Sequence, residues 1–170
     1  MTATEALLRH ARGGHRLSAE QARSSAQCHE LAAMMEAAAD IRDQGHGAVI
    51  SYSRKVFIPL TKLCRNSCHY CTFVKPPKRG KRCYLTAEEV LEIAHAGTLA
   101  GCREALFTLG DKPELRWTAA RDELAKLGHS TTVSYLAEMA ELVLERTGLL
   151  PHLNPGVMSA AEITALRGVS

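Results

Sequence analysis

At 170 residues, 46% hydrophobic and 23% charged, the chain has the size of one domain and enough apolar content for a core, which excludes whole-chain disorder. No run approaches the roughly 18 apolar residues of a membrane span, and the N-terminus, with Glu5, Arg9 and Arg12, has no apolar secretory stretch, so a cytoplasmic protein without a membrane partner is expected. The net charge of +3 is uneven: no acidic residue lies between Asp43 and Glu88, where nine of the 21 Lys and Arg fall, and the remainder of the chain is acidic.

Residues 1–47 predict a helical, alanine-rich extension. Gly13-Gly14 separates a short helix from a second that opens at Ser18, where Ser18 and Gln21 make a capping-box pattern. Leu31, Met34, Met35, Ala38 and Ile41 then follow a helical period as far as Gly45, with the methionines as core filler. From Ala48 the pattern turns β-branched. Val56, Phe57, Ile58 and Leu60 predict a short strand that runs into a cysteine-rich loop. Lys75 to Lys81, with Pro76, Pro77 and Gly80, is irregular. Thr86 and Glu89 form another capping box with Leu85 and Val90 as its hydrophobic staple, and Val90, Ile93, Ala94 and Gly97 share one face of the helix.

A second strand is predicted over Ala105–Leu109, broken at Gly110. Trp117 reads as a packing or surface residue of the loop that follows. A helix from Thr132 to Arg146 carries Leu136, Met139, Ala140 and Val143 on one side. A third strand-like run, Leu149–Asn154, is interrupted by Pro151, and Ser159 with Glu162 opens a last helix. Strands starting near 55, 104 and 149, each followed by a helix, make residues 48–170 an α/β unit with a parallel sheet and right-handed crossovers. In such folds functional groups gather at the C-terminal strand ends. The cysteine loop, Gly110-Asp111-Lys112-Pro113 and Asn154-Pro155-Gly156 all occupy that position.

Six cysteines occur, and Cys64, Cys68 and Cys71 form C-x3-C-x2-C, too crowded for structural disulfides. Thiolates so close together converge on a metal or cluster. Two chemistries fit the spacing: an iron–sulfur cluster with three protein ligands and one iron open to an outside ligand, or a Cys3His zinc site that adds His69. The isolated Cys28, Cys83 and Cys102 read as small buried hydrophobes. The basic segment reads either as a solvated loop or as an anion site. With aromatics at only 5% of the chain, stacking platforms for nucleic acid are not expected.

Cys64-Arg-Asn-Ser-Cys68-His-Tyr70-Cys71, placed at the end of a first βα strand, resembles the cluster motif of the radical S-adenosylmethionine enzymes. Tyr52–Thr61, Glu104–Glu114 and Gly148–Met158 resemble the cyclising half of the FO synthase family, whose product is 7,8-didemethyl-8-hydroxy-5-deazariboflavin, a deazaflavin chromophore. The resemblance implies a 4Fe–4S cluster held by Cys64, Cys68 and Cys71, with S-adenosylmethionine on the remaining iron. It places Tyr70 near the adenosyl group and matches Leu109-Gly110-Asp111 to the element that binds the methionine ammonium, with Asp111 as its carboxylate. The implied substrate is a small adduct of tyrosine-derived and ribityl-aminouracil fragments, cyclised after hydrogen abstraction with release of ammonia. The implied partners are an electron donor and a companion radical enzyme, or a fused second half. The family uses about six βα units of a partial TIM-type barrel, and a complete barrel takes roughly 250 residues. With about three units after its N-terminal helices, the chain reads as the first half of that barrel, an N-terminal fragment. A non-enzymatic iron–sulfur or zinc module, and an inactive fragment, are the contrasting readings.

Overall fold

The computed structural model describes residues 2–170. The backbone divides into two compact units, residues 1–52 and 53–170.

The first unit holds α1 (Ala3–Arg12), α2 (Ala19–Ser25) and α3 (Leu31–His46). The Ser18 hydroxyl accepts from the Gln21 N–H at 3.1 Å while the Gln21 side chain accepts from the Ser18 N–H at 2.8 Å, the reciprocal cap expected from the sequence. Thr2 and Glu5 cap α1 in the same way. Arg12 Nε of α1 donates to Asp40 Oδ2 of α3 at 2.7 Å. The packed stripe of α3 differs from the one the period suggested. Leu31, Met35 and Ile41 are exposed, whereas Ala37 is buried and Ala33 and Met34 partly so. Alanine on most sides of this helix leaves two stripes equally able to pack. The small-residue one packs, and Met35 is not core filler.

The second unit contains β1 (Lys55–Ile58), α4 (Ala87–Leu99), β2 (Glu104–Thr108), a 3-10 turn (Pro113–Leu115), α5 (Thr118–Lys126), α6 (Thr132–Thr147), β3 (Leu150–Asn154) and α7 (Ala160–Leu166). The three strands form one parallel sheet in the order β1-β2-β3, with Lys55 opposite Glu104 and Glu104 opposite Leu150. This is the predicted α/β architecture, with helical crossovers between consecutive parallel strands. The sequence reading missed α5, because only Ala120 and Leu124 of its nine residues are buried and five of the other seven are polar or charged.

Alternation along the strands decides where the core lies. Ile58, Ala105, Phe107 and Pro151 are buried on the helix-covered face, and Val56 is half-buried beside them. Gly97 of α4 lets the helix settle on β1, since a Cβ there would stand 2.5 Å from that of Val56. Leu136, Met139 and Val143 of α6 complete this core. Burying each large side chain here is worth about 1.5–3 kcal/mol. The opposite face carries Phe57, Leu150, His152 and Asn154, all exposed, with Lys55 and His152 paired to Glu104. Pro151 is tolerated because Leu150 donates its N–H to Arg103 across the β2 side. The alternation therefore turns the nitrogen of residue 151 to the open edge, where no ladder bond is lost. Among the described residues no helix is long and apolar enough to cross a membrane.

Candidate cluster-binding site

The site grows from the C-terminal ends of β1 and β2. After Ile58 the chain is pinned before it reaches the first cysteine. The Thr61 hydroxyl donates to Cys83 O at 2.7 Å and accepts from the Leu63 N–H, and the Glu123 carboxylate accepts the N–H groups of Cys83 and Tyr84. The Lys75 N–H then donates to Lys62 O at 2.9 Å and closes the base of the cysteine loop.

Gly110 sits at the closest approach between the two strand ends. Its N–H donates to Thr61 O, and an added Cβ would lie 1.7 Å from Leu63 O and 2.8 Å from Cys64 Cβ. Only a residue without a side chain allows the loop to pass there. Asp111 follows, buried, and is bound to the loop by several of its atoms. Its N–H donates to Cys64 Sγ at 3.3 Å and its backbone carbonyl accepts from the Arg65 N–H at 3.0 Å. Its Oδ2 accepts from Arg65 Nε at 2.8 Å and Asn66 Nδ2 at 3.1 Å, whereas Oδ1 is buried and accepts no hydrogen bond. Lys112, at a φ of 37°, turns its ammonium to Glu162 at the start of α7.

The three predicted cysteines line one cavity of about 310 Å³ together with Asn66, Lys75, Arg116 and Trp117. Cys64 is buried, Cys71 half-buried and Cys68 exposed. Among the described residues no three His, Cys, Asp or Glu side chains are gathered so as to hold a metal ion. Cys64 Sγ also accepts from the Asn66 N–H at 3.4 Å, so two backbone amides point at this sulfur. A multi-iron cluster, whose thiolates attach at separate corners, fits this arrangement. The Cys3His zinc alternative does not, because His69 is exposed and absent from the cavity wall.

Tyr70 is exposed on the same loop and Asn154 is exposed at the end of β3, and neither Tyr70, Gly110 nor Asp111 is among the residues lining the cysteine cavity. Cys83 lies apart from the cavity, and burial, reinforced by Glu123, pushes its thiol up to about 11, so it stays protonated at neutral pH. Trp117 packs against the core, as expected, and also lines the cavity, where its indole Nε1–H donates to Cys64 O at 2.9 Å. Arg116 was missed altogether, although it donates to Arg65 O at 3.1 Å and Ser67 Oγ at 2.8 Å. The available signal was position: both follow the turn at the end of β2 and face the cysteine loop.

Known proteins resemble this chain in sequence and in fold. It is 48% identical to the FO synthase of Mycobacterium tuberculosis, with 99% of the chain aligned to 22% of that protein. It is 50% identical to the FO synthase of Mycobacterium leprae, over 99% of the chain and 21% of that protein. The 7,8-didemethyl-8-hydroxy-5-deazariboflavin synthase of Methanopyrus kandleri is 47% identical over 70% of the chain and 36% of its own length. The chain thus spans about a fifth of the FO synthases it matches. Among solved structures, methylornithine synthase (PylB) superposes with a TM-score of 0.62 at 21% identity, over 95% of this chain and 44% of that one. The FeFe-hydrogenase maturase HydG of Carboxydothermus hydrogenoformans gives 0.67 at 22%, over 97% and 35%. These two likenesses show the fold. No family model matches the sequence.

Proposed function

The chain belongs to the FO synthase family, and from that membership we propose that it carries the cluster- and S-adenosylmethionine-binding part of a cytoplasmic radical enzyme that forms the deazaflavin chromophore. The observation that carries this reading is the cavity at the ends of β1 and β2, where Cys64, Cys68 and Cys71 line one space and a buried Asp111 oxygen lacks a donor beneath Cys64. Cys64, Cys68 and Cys71 would hold a 4Fe–4S cluster by three of its irons. Such a cluster supplies one electron to bound S-adenosylmethionine, which yields the 5′-deoxyadenosyl radical used for hydrogen abstraction.

The chain's own groups have definable tasks. Arg65 and Asn66 fix Asp111 through Oδ2, which leaves Oδ1 as an acceptor of set direction. An ammonium is the donor that a buried carboxylate oxygen of this kind takes best. Tyr70, exposed on the loop, would cover an adenosyl group. Gly110 allows the end of β2 to pass close against Leu63 and Cys64.

The proposed reaction is hydrogen abstraction from the tyrosine-derived and ribityl-aminouracil adduct, followed by ring closure with loss of ammonia. The proposed partners are an electron donor and the enzyme, separate or fused, that makes the adduct. The relatives' length argues that the substrate site is completed by strands outside these 170 residues. The test is reductive cleavage. The chain within its longer protein, reduced anaerobically with S-adenosylmethionine, is expected to release 5′-deoxyadenosine, and Asp111→Asn is expected to weaken S-adenosylmethionine binding at least tenfold. A reduced cluster that neither binds nor cleaves S-adenosylmethionine would overturn the proposal.

A further inference from the structure

The cysteine loop is held very unevenly. Residues 64–67 are hydrogen-bonded from the β2–α5 connection, through Asp111, Arg116 and Trp117, and only Cys64 among them is buried; Cys68, His69 and Tyr70 are exposed. Much of this grip comes from one dipeptide. Trp117 donates its indole N–H to the carbonyl of Cys64, and Arg116 donates to the carbonyl of Arg65 and to the hydroxyl of Ser67. The two side chains also hold each other, with the guanidinium carbon 4.6 Å from the Trp117 ring centroid. Both line the cavity that the three cysteines share.

We propose that Arg116 and Trp117 are positioning residues for the cluster: a stacked clamp that fixes Cys64 as the first ligand and sets the charge around it. The inference rests on the cluster reading above. Trp117 fixes the carbonyl of the ligand residue itself, so the peptide plane from which the Cys64 side chain departs is set before iron arrives. Arg116 spans the turn between the first and second cysteine and adds a fixed positive charge on the cavity wall. Cys68 and Cys71 lack such supports from this connection and are drawn in when the cluster forms. A planar guanidinium can stack on the indole and donate to the carbonyl and the hydroxyl at once, whereas a lysine ammonium keeps the charge but not the stack. Hydrogen bonding and charge around the thiolate sulfurs are the means by which a protein tunes cluster potential.

The experiment is anaerobic reconstitution of the full chain and of Arg116→Gln, Arg116→Lys and Trp117→Phe. It reads iron content, the rate of cluster formation, the midpoint potential and the EPR spectrum of the reduced state. Circular dichroism identifies any variant that fails to fold. We expect Trp117→Phe to form its cluster at least threefold more slowly with a changed EPR spectrum. We expect Arg116→Gln to load the same iron at a lower midpoint potential, and Arg116→Lys to recover that potential in part. Folded variants that match the unsubstituted chain in rate, potential and spectrum would overturn the clamp. Failure of the unsubstituted chain itself to form a cluster would instead overturn the reading on which the clamp rests.

Discussion

Asp111 and Gly110 show how differently single residues can be read. The sequence pattern put Asp111 just past a strand end, and its ammonium role came only from the family resemblance; the structure adds that one oxygen is committed to Arg65 and Asn66 while the other is buried without a donor. Gly110 was legible as a strand break, but its steric task was not, since it depends on the Leu63 carbonyl lying against it from the β1 side. Gly110→Ala must push aside a backbone carbonyl, so a loss at or above the upper end of the ~1–3 kcal/mol usual for overpacking is expected. Urea denaturation measures it, and an unchanged midpoint would refute the close packing. Glu114 was not legible at all. Its buried carboxylate accepts from both the N–H and the hydroxyl of Thr132, and that hydroxyl also pairs with Tyr84. Nothing in sequence spacing announces a contact between a loop and a distant helix start. Glu114→Ala leaves the first turn of α6 short of its acceptor and is expected to cost about 2–3 kcal/mol by thermal unfolding.

Elements were most legible where chemistry is local. The caps at Ser18, Thr86 and Ser159 are all formed, because each depends on residues three apart. Thr86→Ala is expected to destabilise α4 by about 1 kcal/mol, read as a lowered Tm. The α5 helix escaped because polar residues cover most of its surface, and the packed stripe of α3 was misassigned because alanine gives no amphipathic contrast. A connection between elements also carries a pH dependence. Lys112 and the Ser159 N–H hold the Glu162 carboxyl down from 4.5 to about 2, linking the β2–α5 connection to α7. A carboxyl whose folded-state value is depressed contributes its full stability above the unfolded value, and loses it as pH falls through the folded one. The Tm of the unsubstituted chain is therefore expected to fall more steeply from pH about 5 to about 2 than that of Glu162→Gln. Parallel pH profiles for the two proteins would contradict the link.

At the scale of the molecule, strand order and direction were readable because three βα units follow one another in sequence. The state of the sheet's far face was not, since burial depends on what lies against it. Parallel sheets are ordinarily covered on both faces. Here Phe57, Leu150 and His152 remain exposed opposite the helices, and the outer edge of β3 is unpaired. The Leu153 N–H, turned to that edge, is expected to exchange with deuterium faster than the His152 N–H, which faces β2. The central claim, that the C-terminal ends of β1 and β2 form a three-cysteine cluster site, is tested most directly by metal stoichiometry after anaerobic reconstitution. About four irons with matching sulfide per chain are expected, lost together when Cys64, Cys68 or Cys71 is changed to serine. One zinc per chain with no iron uptake, or a cluster that survives those substitutions, would contradict it.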